Sequence, residues 1–351
     1  MRRSTTRIVY GALALRPGGS GVQTYIRELL NELPGKLPGT ELAAVVQKDA
    51  VGDLPAGIEP LPRPVSDGVV RAALGALPVG AHDIVHGLDV DLPFGTRGAT
   101  VATVHDVSVI DMPSASSRLR AAGEQRLVRR SLRRADLLIA VSRFTADRIE
   151  AVSGRRATVV ELAPAAWATP PTPAAVEAVR VKYGLPETFV MQVGTVEPRK
   201  NVQLVADAAE QLGVPCLLAG AGSTGPSKPR YATGLGYVDV EDLPALYAAA
   251  TVTAYASRYE GFGLPPVEAM ACGGAVVASA VGALPEVVGK GAVLLENERP
   301  SAWAEAMGPL LFDETARADL VAEAGRAMAD LTWERTAERT VQAYRDAGLI
   351  A

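Results

Sequence analysis

Cysteine is nearly missing from this chain. Cys216 and Cys272 are the two in 351 residues, and each sits inside an apolar run. That excludes a disulfide framework and a cysteine-built zinc knuckle, and it fits small buried thiols in a reducing compartment. Net positive charge is missing too: 35 Lys and Arg against 39 Asp and Glu leave −4, so no general cationic field is available for nucleic acid. Long apolar runs are also absent. The longest uncharged stretch, 269–285, is interrupted by Gly273, Gly274, Gly282 and Pro285, and no segment reaches the ~18 apolar residues of a membrane span. No internal repeat or low-complexity tract occurs. The start, MRRSTTRIVYGALAL, has the basic and apolar parts of a secretory signal. Its apolar run covers only residues 8–15, contains Gly11 and leads directly into a glycine-rich turn, so it reads as a first buried strand. The expectation is a globular cytoplasmic protein without nucleic-acid partners.

What is present is an alternation of strand and helix. With 48% hydrophobic and 21% charged residues, the chain is long enough for two domains with separate cores. RIVYGALAL ends in RPGGSG; VQTYIRELLNEL then carries Val22, Tyr25, Ile26, Leu29 and Leu33 at helical spacing, and ELAAVVQ follows. This strand, glycine loop, helix, strand order predicts a βαβ unit and a parallel sheet. Further short apolar runs, DIVHG, ATVATVHD and ADLLIAVS, each end in polar residues, where open α/β sheets collect ligands. The stretch ELAPAAWATPPTPAAVEAVRVKYGLPE holds five prolines and no strand pattern. Beyond it the alternation restarts with TFVMQVG, NVQLVADAAEQL and PCLLAG. The reading is therefore two consecutive Rossmann-like α/β domains, 1–168 and 169–332. A final amphipathic helix in 333–351 follows, one that would pack back on the first domain.

Three stretches carry candidate chemistry. In VGTVEPRKNVQLV a strand ends near Gly194 and a helix starts near Asn201, which puts Arg199 and Lys200 at a strand-to-helix junction where backbone N–H groups also point outward. A lone Arg-Lys pair is most often a solvated surface pair, so the diphosphate reading depends on other anion-binding parts. PGGSGVQ supplies one: Gly18, Gly19 and Gly21 open a helix and allow close backbone approach to a phosphate. A dinucleotide fingerprint fits poorly, because Thr24 stands where G-x-G-x-x-G read from Gly19 requires glycine. The third stretch, RYEGFGLPPVEAMACGG, places Glu260 in a loop and Glu268 in the first turns of a helix opened by Pro265 and Pro266. On one continuous helix they would lie ~12 Å apart, beyond the roughly 5 to 9.5 Å of glycosidase carboxylate pairs. Two separate binding tasks are the more natural assignment.

Together with GGSGVQTYIREL, VHD at 104–106, VSRFTADRI, GTVEPRKN, GYVDVEDLPALYAAA, GALPEVVG and WERTA, the E-x7-E spacing of Glu260 and Glu268 resembles retaining glycosyltransferases of family 4. These fragments run through essentially the whole chain in order. The resemblance implies the GT-B fold, two Rossmann-like domains facing a central cleft, and a nucleotide-diphosphate sugar donor held mainly by the second domain. Arg199 and Lys200 would hold the diphosphate, Glu268 the ribose, and Glu260 a hydroxyl of the sugar. Backbone N–H groups of Phe262, Gly263 and Leu264 would add contacts, and Val238 with Asp239 would form the base pocket. From the first domain, Gly19 and Gly21 would close on the diphosphate and His105 would reach the sugar, although a satisfied histidine at a strand end is its plainer reading. His86 and Asp106 are weaker candidates on the acceptor side, and His82 is left to the surface.

Transfer would then proceed with retention, a diphosphate oxygen acting as base, and neither metal nor other cofactor required. Thr195 stands where the family often has an arginine, and EPRK supplies the cations instead. That variant, similar to mannosyltransferase-like members, points to GDP-mannose, with UDP- or dTDP-sugars as the other donors. The acceptor is a hydroxyl of a glycan, a lipid-linked glycan or a small molecule. SSRLRAAGEQRLVRRSLRRAD, with seven arginines between Arg118 and Arg134, reads most simply as a solvated helix face. As a basic amphipathic helix it would bring the protein to the inner membrane face. A hydrolase or epimerase on the same fold and a non-catalytic nucleotide-sugar binder are the competing readings.

Overall fold

The computed structural model describes residues 5–16, 21–90, 92–112 and 118–351. The chain forms two compact units, one made of 1–162 with 332–351 and the other of 163–331. The division falls after Leu162, earlier than the expected 168. All five prolines of the proline-rich stretch belong to the second unit.

The first unit runs β1 (Arg7–Gly11), α1 (Gly21–Lys36), β2 (Glu41–Gln47), β3 (Ile58–Arg63), α2 (Gly68–Gly75), β4 (Ile84–Gly87), β5 (Ala99–Val104), α3 (Ser108–Asp111), α4 (Arg118–Arg134), β6 (Leu137–Ala140), α5 (Arg143–Ser153) and β7 (Thr158–Val159). Its seven strands are ordered β3-β2-β1-β4-β5-β6-β7, and the pairs are parallel. The strands read as apolar runs because parallel sheets are covered on both faces. β3 escapes that reading, since IEPLPR carries Pro60 and Pro62. An edge strand uses only every second N–H, so alternate prolines are tolerated there. Val9, Val45 and Val85 pack on one face of the sheet. Val104, Val128, Leu132 and Leu138 pack farther along.

The second unit runs α6 (Pro173–Tyr183), β8 (Val190–Val193), α7 (Val202–Leu212), β9 (Cys216–Ala219), β10 (Ala232–Gly236), α8 (Leu243–Ala249), β11 (Val252–Tyr255), α9 (Leu264–Ala271), β12 (Val276–Ser279), α10 (Leu284–Val288), β13 (Ala292–Leu295), α11 (Pro300–Phe312) and α12 (Glu314–Met328). Its six-stranded parallel sheet is ordered β10-β9-β8-β11-β12-β13. Helix limits follow local chemistry. Thr172 accepts from Ala175 N–H at 3.2 Å and Pro173 opens α6, while Gly184 ends it at φ 59°. Cys216 and Cys272 are free and buried.

The last helix, α13 (Trp333–Asp346), belongs to the first unit. Thr332 caps it through Arg335 N–H at 3.2 Å. Lys36, closing α1, donates to Glu334 and Glu338, each at 2.8 Å, and Thr336 Oγ1 donates to the Glu161 carbonyl at 2.8 Å. Its inward side buries Trp333, Val341 and Tyr344.

Candidate active site

In the second unit three loops meet beyond the C-terminal ends of β8, β11 and β12, the ends at which parallel sheets present ligand-binding groups. The loop after β8 makes a single 3-10 turn over Pro198–Lys200. Asn201 then takes φ 48°, the one positive value at a non-glycine among the described residues. The helix α7 therefore starts at Val202, after a left-handed corner that turns Arg199 and Lys200 away from its axis. Arg258 N–H donates to the Arg199 carbonyl at 2.8 Å, and Arg199 Nη1 returns a bond to the Tyr259 carbonyl at 2.7 Å. Gln192, a buried polar residue inside β8, donates through Nε2 to the Lys200 carbonyl at 3.1 Å. From the third loop, Ala283 N–H donates to the Glu260 carbonyl at 3.0 Å. Gly282 lies so close that a Cβ there would stand 2.2 Å from the same oxygen.

This backbone frame brings three predicted side chains together. Lys200 Nζ donates to Glu260 Oε1 at 2.6 Å, and Arg199 Nη1 lies 3.5 Å from Oε2. Arg199 Nη2 also donates to Glu197 at 2.8 Å. Burial by itself would raise the Glu260 pKa, but the attraction of Lys200 and then Arg199 outweighs it and holds the carboxylate below its ordinary value. An ammonium has three N–H donors, so Lys200 can keep Glu260 and still serve a second anion. The cluster can thus bind an anionic group through its cations and accept from a neutral hydroxyl through its carboxylate. Arg258 pairs with Glu298 at 2.8 Å and so braces the same loop from outside.

The other second-unit candidates lie around it. Glu268 is buried on α9. Burial, then the Glu268 charge, pushes the Cys272 thiol up to about 12, so this cysteine is inert. Gly263, just before α9, has φ 104°, and a Cβ there would clash with Leu284 Cδ2; Phe262 and Leu264 beside it are buried. Val238 is buried and Asp239 exposed. Lys182 reaches Asp239 at 3.3 Å and Asp242 at 2.5 Å, and Tyr183 donates to Asp242 at 2.7 Å.

In the first unit His105 follows β5, half-buried, with Nε2 2.9 Å from the Leu88 carbonyl. A carbonyl only accepts, so Nε2 carries the hydrogen. Asp106 Oδ1 accepts from the Ser108 N–H at 2.9 Å and its hydroxyl at 2.6 Å, which engages it in starting α3. The acceptor-side expectation for His86 does not hold. The residue is wholly buried, with Nδ1 2.6 Å from Tyr344 Oη and Nε2 2.8 Å from Thr103 Oγ1. Burial, with a smaller contribution from His105, lowers its pKa to about 3. It is a neutral core residue whose nitrogens are both occupied. Gly21 is the first residue of α1; Gly18 and Gly19 lie outside the described residues. On α4, Val128 and Leu132 are buried in the core, so the apolar side expected to meet lipid is already used. Arg126, Arg129 and Arg133 remain exposed at helical spacing, and Arg130 lies over the Phe94 ring at 3.7 Å.

Among the described residues no group of three His, Cys, Asp or Glu converges as a metal site, and no helix is long and apolar enough to cross a membrane. Sequence reasoning missed Gln192, Arg258, Gly282 and Glu298. Gln192 alone left a signal there, as a lone amide in an apolar strand.

Known proteins resemble this chain in sequence and in fold. The family model described as Glycosyl transferases group 1 matches residues 176–327, and Glycosyltransferase Family 4 matches 19–164. The O-antigen chain mannosyltransferase B of Escherichia coli is 33% identical over 286 residues, covering 75% of this chain and 74% of that protein. Among solved structures, sucrose-phosphate synthase from Thermosynechococcus elongatus superposes with a TM-score of 0.78 at 22% identity over 97% of this chain and 98% of that one. Anabaena HepE in complex with UDP and glucose gives 0.76 at 19% identity, over 97% and 99%.

Proposed function

The chain belongs to glycosyltransferase family 4, and we propose that it acts on a nucleotide sugar, transferring mannose from GDP-mannose to a hydroxyl of a glycan acceptor with retention at the anomeric carbon. The observation that carries this reading is the buried Lys200–Glu260 pair flanked by Arg199. The donor choice is supported by the EPRK variant after Thr195 and by the likeness to a mannosyltransferase.

As the bond from the anomeric carbon to the β-phosphate oxygen breaks, negative charge grows on the departing diphosphate. Arg199 and Lys200 stabilise that charge where it forms. The acceptor oxygen forms its bond to the anomeric carbon from the same face, and its proton passes to the departing phosphate oxygen. Atoms and charge then balance without a protein nucleophile or a metal. Glu260, ionised by its cations, accepts from a hydroxyl of the hexose and fixes the ring. Glu268 accepts from the ribose, and the Val238–Asp239 backbone reads the base. In this reading His105 meets a hydroxyl of the transferred sugar, and Gly21, the first residue of α1, serves the diphosphate. The exposed arginines of α4 would hold the enzyme at an anionic membrane surface by charge alone, which suits a lipid-linked acceptor.

Thermal unfolding in the presence of GDP-mannose, UDP-glucose and dTDP-glucose tests the reading, because a bound donor stabilises the native state by mass action. GDP-mannose is expected to give the largest shift, lost in Arg199→Ala. A larger shift with UDP-glucose would overturn the donor assignment. Sugar release without acceptor as fast as transfer would instead favour a hydrolase.

A further inference from the structure

Tyr10, His86 and Thr103 belong to the neighbouring strands β1, β4 and β5. The register pairs Tyr10 with His86, and His86 with Val101. Side chains alternate along a strand, so Tyr10, His86, Thr103 and, two residues on, His105 project from one face. A face buried between a sheet and its helices ordinarily carries aliphatic side chains. This one carries a chain of polar contacts: Tyr344 Oη to His86 Nδ1 at 2.6 Å, His86 Nε2 to Thr103 Oγ1 at 2.8 Å, and Thr103 Oγ1 to Tyr25 Oη at 2.8 Å. All four residues are buried. The chain ends where the Tyr25 ring meets the imidazole of His105 edge to face, centroids 4.7 Å apart. The Tyr25 ring also neighbours Trp333, with centroids 6.2 Å apart.

We propose that Tyr25 is a positioning residue for His105, and that the buried Tyr344–His86–Thr103–Tyr25 chain anchors that histidine to the last helix of the protein. His105 is otherwise fixed by one hydrogen bond, Nε2 to the Leu88 carbonyl, which leaves the ring free to swing about that contact. The Tyr25 ring closes off the swing, and its hydroxyl is held in turn by Thr103 on β5, the strand that His105 directly follows. Packing alone does not call for the polar atoms, since apolar side chains of equal shape fill such a face at no loss. A fully satisfied network instead fixes one arrangement. In either tautomer of the neutral His86 both ring nitrogens have a partner. The inference rests on the reading that His105 meets the transferred sugar.

With three histidines in the chain, long-range proton–nitrogen NMR of the imidazoles reports on His105 directly. The wild type is expected to show His105 as a single Nε2–H tautomer. Tyr25→Leu should mix the tautomers and lower kcat about tenfold, with the donor KM changed less than twofold. Tyr25→Phe, which keeps the ring but loses the bond to Thr103, should recover part of the tautomer preference and of kcat, and a variant indistinguishable from wild type would overturn the anchoring by the polar chain. Placed on His105→Ala, Tyr25→Leu should lower kcat no further. Unchanged His105 resonances in a folded Tyr25→Leu protein would overturn the proposal, as would a full tenfold loss added on top of His105→Ala. Should Tyr25→Leu shift those resonances while His105→Ala leaves transfer intact, positioning stands and the sugar contact of His105 falls. Tyr344→Phe, which removes one hydroxyl at the far end, provides a milder second perturbation with the same readout.

Discussion

Removing the Lys200 ammonium should harm the second unit before any substrate is considered. In Lys200→Met the Glu260 carboxylate, 10% exposed and facing a lysine side chain 11% exposed, loses its nearest partner and keeps Arg199, at 3.5 Å, as its remaining cation. Stripping one member from a buried pair costs about 3–5 kcal/mol, and the remaining arginine puts the expected loss near the lower end, about 3 kcal/mol. In a unit of this size each kcal/mol moves Tm by about 2–4 °C, so a fall of about 6–12 °C is expected by scanning calorimetry at pH 7. The charge, not the shape, is at fault, and Lys200→Met combined with Glu260→Gln should recover to within about 1 kcal/mol of wild type. Both proteins should be inactive in transfer. A single variant within 1 °C of wild type, or a double variant no more stable than the single one, would refute the argument.

Acid should weaken the first unit through His86. Folded, the imidazole stays neutral down to about pH 3; unfolded, it gains a proton below about 6.5. Stability therefore falls as pH drops from about 6.5 toward 3, by about 1.4 kcal/mol per unit and so about 2 kcal/mol by pH 5. His86→Gln should lack that share of the slope in urea unfolding at pH 7 and 5; equal slopes would count against a buried neutral histidine. Gly282→Ala forces a Cβ against the Glu260 carbonyl at a φ of 58° and should lower kcat by about 10²-fold, as displaced reacting groups do. Unaltered kinetics would mean the loop yields freely. Exchanging Arg126, Arg129 and Arg133 for serine should weaken sedimentation with phosphatidylglycerol vesicles about 100-fold, at about 1 kcal/mol per cation. Equal binding to phosphatidylcholine vesicles would contradict a purely electrostatic contact.

The α/β alternation was legible because strands covered on both faces leave unbroken apolar runs, as in ATVATV of β5 and VVAS of β12. β3, with two prolines, and β10, reading ATGLG, were not legible. The first survives as an edge. The second carries Gly234, where a Cβ would stand 2.0 Å from the Ser223 carbonyl. In the site, Arg199, Lys200 and Glu260 could be named from short motifs. Of their supports Gln192 alone left a trace, as an amide in an apolar strand, while Arg258 and Gly282 act through backbone contacts that no local pattern encodes. His86 was misplaced for a related reason. A histidine ending an apolar strand reads as ligand-facing until its partner appears on α13, 258 residues away.

The return of the chain to the first unit has a consequence for biogenesis. By connectivity the second unit is an insertion, a continuous segment, 163–331, with its own sheet, and it can mature on the ribosome as soon as it has emerged. The first unit begins synthesis earlier but stays unfinished until Trp333 and Tyr344 arrive. Until then β4 and α1 expose the aromatic and histidine surface that those residues cover. The half made first is thus completed last, and that waiting surface is where a chaperone would be needed.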